Sequence, residues 1–492
     1  MDRFAAGRRR LKTQKAGATV TRPRNAFLDL WRWEGTISRE RYVLVGLLGF
    51  AIKHNLDRFL ATVVFEREWG IFNYWVSPFG PLSLKEVLEQ EGNLIAALVA
   101  TSIPFIWIGV ALTLRRLRAA GLPAWLVAVF FVPFVNLLFL LVLAVLPEVD
   151  SAEGGVDTVR ATGWLGRLVP EHPIGAAALG VMGTNLLFVP LILLSTAVLN
   201  EYGWGLFVGM PFCLGLLSVL IFGYHAPRGF AACIVVSTAA VLITGGLLLA
   251  FAIEGLICVM MAAPLATPLA WLGSVVGYLI QRHGRPRGMS PVFPAVLAAL
   301  PLALFVESAL PVDPPVYEVM SAIEIEAPPQ DVWGNVVAFA ELPAPEDWVF
   351  RAGIAHPIRA EIRGRGVGAE RHCVFSTGPF VEPIEVWDEP NLLKFSVTTN
   401  PAPMQEWTPY DEIHPPHLKG FLESEGGQFR LVAMRGGGTR LEGTTWYRHS
   451  LWPAVYWRLW SDELIHRIHM RVLRHIKRES ERRLTAAQST AR

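Results

Sequence analysis

Runs of about 20 mainly apolar residues constrain this chain most, because a run of that length crosses a bilayer as a helix. Seven are clear: Leu94–Leu114, Trp125–Leu146, Ile174–Leu199, Trp204–Phe222, Phe230–Ala252, Gly255–Ile280 and Val292–Leu310. An eighth, Tyr42–Phe65, is apolar at both ends but holds Lys53, His54, Asn55, Asp57 and Arg58. Charges inside a span face protein or water and mark a functional hypothesis. The alternative is a helix that ends near Ile52, followed by an interfacial turn whose long basic side chains snorkel. Between Phe230 and Ile280 the only ionisable carboxylate is Glu254, and there is no Lys or Arg. Charge density recovers after Val316, so one part of the chain is built for lipid and the other for water.

Composition agrees with that division. Charged residues make up 17% and hydrophobic residues 52%, whereas soluble domains carry about a quarter charged residues. Net charge is +2, which gives no argument for nucleic acid. Arg8, Arg9, Arg10, Lys12 and Lys15 precede the first apolar run and read as a cytoplasmic topogenic signal. The apolar run starts too late for a secretory signal peptide. Cys213, Cys233, Cys258 and Cys373 form neither a disulfide framework nor a CxxC knuckle.

The positive-inside rule places Arg115, Arg116 and Arg118 in the cytoplasm with the N-terminus. Eight simple spans then leave the basic loop at Arg282, Arg285 and Arg287 outside. A re-entrant hairpin over Trp125–Leu146, broken around Pro133 and Asn136, brings every basic loop inside and puts the C-terminal domain in the periplasm. That second topology is the expectation.

After Leu310–Pro315 the pattern turns α+β. Tyr317–Ala327 alternates as a half-buried strand does, and Pro328, Pro329 and Asp331 open a helix. Strand-like runs follow at Ile358–Arg363, Glu370–Thr377, Val381–Trp387, Leu392–Thr399, Gln428–Arg435 and Thr439–Tyr447, most of them separated by turn residues. A long amphipathic helix closes the chain from about Trp452 to Leu484.

Four stretches carry a family resemblance: IEIEAPPQDVW (Ile323–Trp333), FVEPIEVWDEPNLLKFSV (Phe380–Val397), GGTRLEGTTWY (Gly437–Tyr447) and the terminal helix. With the strand order, they resemble the START-like superfamily, also called SRPBCC or polyketide-cyclase-like. The resemblance implies a helix-grip fold, in which a curved antiparallel sheet holds the last helix over a cavity for hydrophobic ligands. A fold of this kind does not by itself give a reaction. At the front, Asn25–Gly46 and Arg115–Pro147 look like the bacterial inner-membrane domain-of-unknown-function family 805. Arg118 and Ala119 stand where that family usually has His-Asp. This second resemblance implies an inner-membrane location and no known activity.

The expected organisation is therefore a basic tail (1–24), a small membrane module (25–147), a polar linker (148–173), a membrane helical bundle (174–311), a START-like domain (316–484) and a disordered tail (485–492).

Candidate side chains lie mostly in the soluble part. His414 and His417 are three apart across two prolines, and His466 and His469 are three apart on the terminal helix. No zinc signature accompanies them, so they read as imidazoles in a polar rim, and neither a metal nor a cofactor is expected. Trp387, Tyr410, Trp446, Tyr447 and Trp460 join them as ligand-binding candidates, because a START-like cavity would be lined by such residues. Glu382, Glu385 and His414 are candidate acid/base groups. Arg359, Arg363 and Arg371 suit phosphate headgroups, since Arg presents a forked donor set.

The favoured function is a membrane-anchored binding protein rather than an enzyme, taking up a hydrophobic or lipid-like molecule at the bilayer surface. Its partners are the bilayer and that ligand, with a homo-oligomer or membrane partner left open. A cyclase- or hydrolase-type enzyme is one rival. A transporter, in which Lys53–Arg58 and Glu254 face one another, is another.

Overall fold

The structure is a computed structural model that describes residues 29–74, 84–131, 135–145, 148, 168–283, 292–310, 312–410 and 413–490. The basic tail, Pro133, most of the 147–173 loop, Arg285 and Arg287 lie outside the described residues.

The apolar runs form helices: α1 (Arg39–Phe59), α2 (Leu84–Ala119), α3 (Val135–Val145), α4 (Pro173–Leu193), α5 (Met210–Phe222), α6 (Phe230–Ala250), α7 (Leu256–His283) and α8 (Val292–Ala309). Among the described residues, five helices are long and apolar enough to cross a membrane: Glu91–Ala119, Pro173–Val198, Gly205–Phe222, Phe230–Ala250 and Leu256–Arg282. Pro294–Ala309 is a shorter apolar helix. The chain is thus of the multi-pass membrane type. The Trp125–Leu146 run is divided, with a 3-10 segment at Ala124–Phe131 ahead of α3. Asn136 falls inside α3 rather than at the break.

Tyr42–Phe65 does not end near Ile52. Helix α1 continues to Phe59 and passes into a π-turn at Leu60–Val64. Its charges turn inward. Lys53 pairs with buried Asp57, Lys53 Nζ lies 3.4 Å from Thr101 Oγ1 on α2, and the Tyr74 hydroxyl donates to Asp57 at 2.8 Å. The basic cluster at the end of α2 also does internal work. Arg115 donates to the Asp29 carbonyl at 2.8 Å, and fully buried Arg116 donates to the Leu143 carbonyl at 2.8 Å.

Helices α4–α7 pack around buried Phe188, Leu217, Val219, Cys233 and Ala240. Small residues let α5 and α7 touch backbone to backbone: a Cβ on Gly273 would fall 2.0 Å from the Phe212 carbonyl oxygen.

The C-terminal part is one antiparallel sheet: β1 (Tyr317–Ile325), β2 (Pro357–Arg363), β3 (Glu370–Phe375), β4 (Gly378–Asp388), β5 (Leu392–Ser396), β6 (Leu422–Ala433) and β7 (Thr439–His449). Their order is β1-β7-β6-β5-β4-β3-β2. Two short helices, α9 (Pro329–Val337) and α10 (Trp348–Arg351), precede β2. The long α11 (Ala454–Thr490) lies against the sheet, with Val472, Leu473 and Ile476 in a core shared with Ile325, Leu393, Leu431 and Leu441. This is a helix-grip arrangement. Helix α11 is assigned through Thr490, and Ala486, Ala487 and Gln488 are good helix formers.

Candidate functional site

The helix-grip domain is docked on the bundle by main-chain contacts. The N–H of Leu256 donates to the Trp407 carbonyl at 2.9 Å, and the N–H of Trp452 donates to the Tyr202 carbonyl at 3.0 Å. Ile257, Cys258 and Met261 of α7 pack into a small core with Phe350, Ile354, Met404 and Leu464. Aromatic rings close another side, with Phe207 and Trp457 4.7 Å apart and Tyr202 and Phe421 4.9 Å apart.

Between the two parts lies a cavity of about 270 Å³. Its bundle wall includes Phe188, Ile192, Met210, Leu214, Leu248, Val259 and Ala266. Its domain wall includes Met404, Tyr447, Trp457, Trp460, Leu464 and Ile468. A smaller cavity of about 110 Å³ lies between the sheet and α11, and shares Phe375, Phe380, Ser424, Ile465 and Ile468 with the first. Those side chains form a wall common to both spaces.

The large cavity's wall is mostly apolar, with Thr196, Thr244, Asn400, Ser424, His449 and Ser461 scattered along it and one polar cluster that brings three functional side chains together. Glu254 sits in the α6–α7 loop, Cys258 in the first turn of α7, and His417 in a 3-10 turn at Pro416–Leu418. His417 Nε2 is 2.8 Å from Cys258 Sγ, and His417 Nδ1 is 3.2 Å from Glu254 Oε2. Nδ1 and Oε2 are both buried, and neither makes a hydrogen bond among the described residues, so the contact between them is one of proximity alone. The Tyr202 hydroxyl donates to Glu254 Oε1 at 2.7 Å. Glu406 caps α7 from the domain side, accepting from the N–H groups of Ile257 at 2.9 Å and Cys258 at 3.1 Å. Only Gly fits before that helix, because a Cβ on Gly255 would fall 2.2 Å from Glu406 Oε2.

Glu254, Cys258 and His417 lie close enough to be considered as metal ligands. Their spacing is tighter than one zinc ion would set. Sulfur and nitrogen on one tetrahedral zinc ion stand roughly 3.5 Å apart, given bond lengths near 2.3 and 2.0–2.1 Å, whereas here they are 2.8 Å apart. The imidazole also offers its two nitrogens to two different partners, which one ion cannot satisfy.

The other sequence candidates are dispersed. Tyr447 and Trp460 line the large cavity, and the buried Tyr447 hydroxyl donates to Asp462 at 2.6 Å. His469 lines the smaller cavity; its Nε2 is 2.7 Å from Thr445 Oγ1 and its Nδ1 3.1 Å from Ser321 Oγ. Burial, helped by neighbouring His466, lowers the His469 pKa to about 4. His466 is exposed and also meets Ser321, at 2.8 Å. His414 is exposed. Tyr410 reaches the Ala250 carbonyl beside a separate groove. Trp387 packs edge-on against Trp333, and Trp446 donates to Glu318 at 2.9 Å; neither lines these cavities.

Glu382 and Arg371 form a buried ion pair at the smaller cavity. Burial pushes the Glu382 carboxyl above its ordinary range, while Arg371 pulls the other way. Arg371 is thus directed inward, among Phe339, Phe395 and Phe429, and not toward headgroups. Glu385 is exposed and pairs with Lys394 at 3.3 Å. Arg359 and Arg363 are exposed, with Arg359 2.6 Å from Glu361. Lys53–Arg58 and Glu254 do not meet, since Lys53 and Asp57 pair together and Glu254 faces Tyr202 and His417.

Sequence reasoning named His417 as a ligand-binding residue and Glu254 as a bundle charge, but brought neither to Cys258. The signal available was the isolation of Glu254 in an otherwise uncharged stretch.

Residues 30–153 match a family model described as protein of unknown function (DUF805). No curated protein matches the chain. Norcoclaurine synthase from Thalictrum flavum is a similar solved structure at 13% identity, covering 35% of this chain and 99% of that one, with a TM-score of 0.25. The Zhui aromatase/cyclase from Streptomyces sp. R1128 is similar at 15% identity, covering 35% and 98%, with a TM-score of 0.23. Ara h 8.0201 is similar at 14% identity, covering 34% and 98%, with a TM-score of 0.22. The helix-grip description rests on the strand order and on α11 themselves. The chain joins a front segment matched by a family of unknown function to a helix-grip domain, and the lining of the large cavity draws on neither residues 30–153 nor that domain alone.

Proposed function

We propose that this chain binds a hydrophobic, lipid-like molecule in the cavity between its bundle and its helix-grip domain. The observation that carries this is the two-sided apolar wall: Ile192, Leu214 and Val259 on one side face Met404, Trp460 and Ile468 on the other. Sites of this kind pair an apolar wall with a few placed polar groups, and the Glu254–Cys258–His417 cluster supplies those. The shared wall at Phe375 and Phe380 sets the sheet–helix space next to the cavity, so movement of those two rings would let an apolar tail extend into it. The reading includes a bacterial inner-membrane location, seven or eight crossings, the bilayer as partner, and surface contact of Arg359 and Arg363 with phosphate headgroups.

Full-length protein in nanodiscs, released into the gas phase for native mass spectrometry and extracted for lipid analysis, tests the reading. Retention of one defined lipid-like species is expected, lost in Ala262→Trp, which fills the cavity wall. Wild-type protein that retains nothing, and takes up nothing from a panel of fatty acids, phospholipids and isoprenoids, would sink it.

A further inference from the structure

We propose that Cys258, His417 and Glu254 form a nucleophile–base–orienter array that accepts an acyl group from a long-chain ester or thioester held in the cavity. The inference rests on the binding reading above and adds chemistry to it.

The geometry assigns the roles. An activated nucleophile needs a base within hydrogen-bond reach and a third group that orients the base. The thiol faces Nε2 at 2.8 Å, and the carboxylate faces the opposite ring nitrogen at 3.2 Å. With its proton on Nδ1, beside the Glu254 carboxylate at 3.2 Å, His417 leaves Nε2 free to accept from sulfur, and a small rotation of that carboxylate would turn the contact into an orienting hydrogen bond. Tyr202 holds the other carboxylate oxygen. All three members line the same apolar cavity, so an acyl chain lying on that wall can bring its carbonyl to the sulfur.

The step balances without an outside oxidant. The thiol proton passes to Nε2 as the sulfur–carbon bond forms, and the carbon–oxygen or carbon–sulfur bond of the substrate then breaks. The leaving alcohol or thiol takes the proton from Nε2. In the second half, water or an acceptor alcohol attacks the acyl-cysteine, gives its proton to Nε2, and the thiol is restored.

The test uses full-length protein in nanodiscs with 4-nitrophenyl decanoate. The expected result is a burst of about one 4-nitrophenolate per chain and a decanoyl adduct on the Cys258 peptide, released by neutral hydroxylamine. Cys258→Ser should lose the hydroxylamine-sensitive adduct, and His417→Gln should slow its formation by about 100-fold or more. The uncleavable ether, 4-nitrophenyl decyl ether, should be retained by wild type in native mass spectrometry, and Cys258→Ser should keep the wild-type circular-dichroism spectrum and thermal midpoint, which shows that the variant is folded. Ether retention by wild type with neither burst nor adduct overturns the acyl-transfer proposal and leaves the binding reading standing. Failure to retain the ether as well as the ester overturns both. Acylation at Cys213, Cys233 or Cys373 instead, or stoichiometric zinc lost in Cys258→Ser, also overturns it.

Discussion

The carboxylate of Glu406, in the helix-grip domain, caps helix α7 at Ile257, a residue 149 positions earlier in the chain. Helix N-termini leave N–H groups without partners, and side-chain oxygens usually fill them locally. Here the cap comes from another part of the fold, so capping a membrane helix and docking the domain are one event.

Glu406→Ala should therefore loosen both. A lost cap costs about 1–2 kcal/mol. Hydrogen exchange on full-length protein should show faster exchange at Ile257 and Cys258 and also in the loop around Trp407. Faster exchange at α7 alone would contradict the coupling.

Gly255→Val should be worse, because its Cβ would collide with the Glu406 carboxylate, 2.2 Å away. The expected result is a lower thermal midpoint than for Glu406→Ala, and added sensitivity to protease in the 405–421 segment. A double variant, Gly255→Val with Glu406→Ala, should recover part of the loss.

The buried pair in α1 gives a separate prediction. Removing one partner of a buried ion pair costs about 3–5 kcal/mol, while replacing both with apolar residues is often neutral. Lys53→Met or Asp57→Leu alone should lower the yield of monodisperse protein, and the double variant should restore it. Equal losses in single and double variants would remove the pairing argument.

Acid should destabilise the helix-grip domain through its histidines. The folded-state pKa of His469 is about 4, below the unfolded value of about 6.5. Burial also lowers the pKa of His449, His356 and His475. A depressed imidazole contributes stability above its unfolded pKa and loses it as pH falls through the gap. Thermal midpoints should drop between about pH 6.5 and 4, with His469 alone contributing about 3 kcal/mol. His469→Gln, which can still bond Thr445, should flatten that slope.

The fold was largely legible where one period governs. Strand alternation anticipated β1 to β7 to within a few residues at most ends, with β6 starting earlier, at Leu422. Apolar length marked the membrane helices. The charges left two readings open at Ile52, and the pairing of Lys53 with Asp57 is what lets α1 run on. The candidate site was mostly hidden, since its members come from a loop between membrane helices, the start of α7 and a proline-rich turn. No local spacing joins Cys258 to His417, 159 residues apart. A cysteine inside an apolar stretch looks like packing until the domain is docked over it.

The remote cap on α7 also bears on how the molecule is made. Synthesis runs from the N-terminus, so α7 is threaded into the bilayer well before Glu406 leaves the ribosome. The nascent membrane half must wait with that helix end unfinished, and only the arriving C-terminal domain completes it. A chain stopped short of residue 406 would carry a permanently open helix end at the rim of the bundle, a feature by which quality-control proteases could tell an aborted product from a finished one.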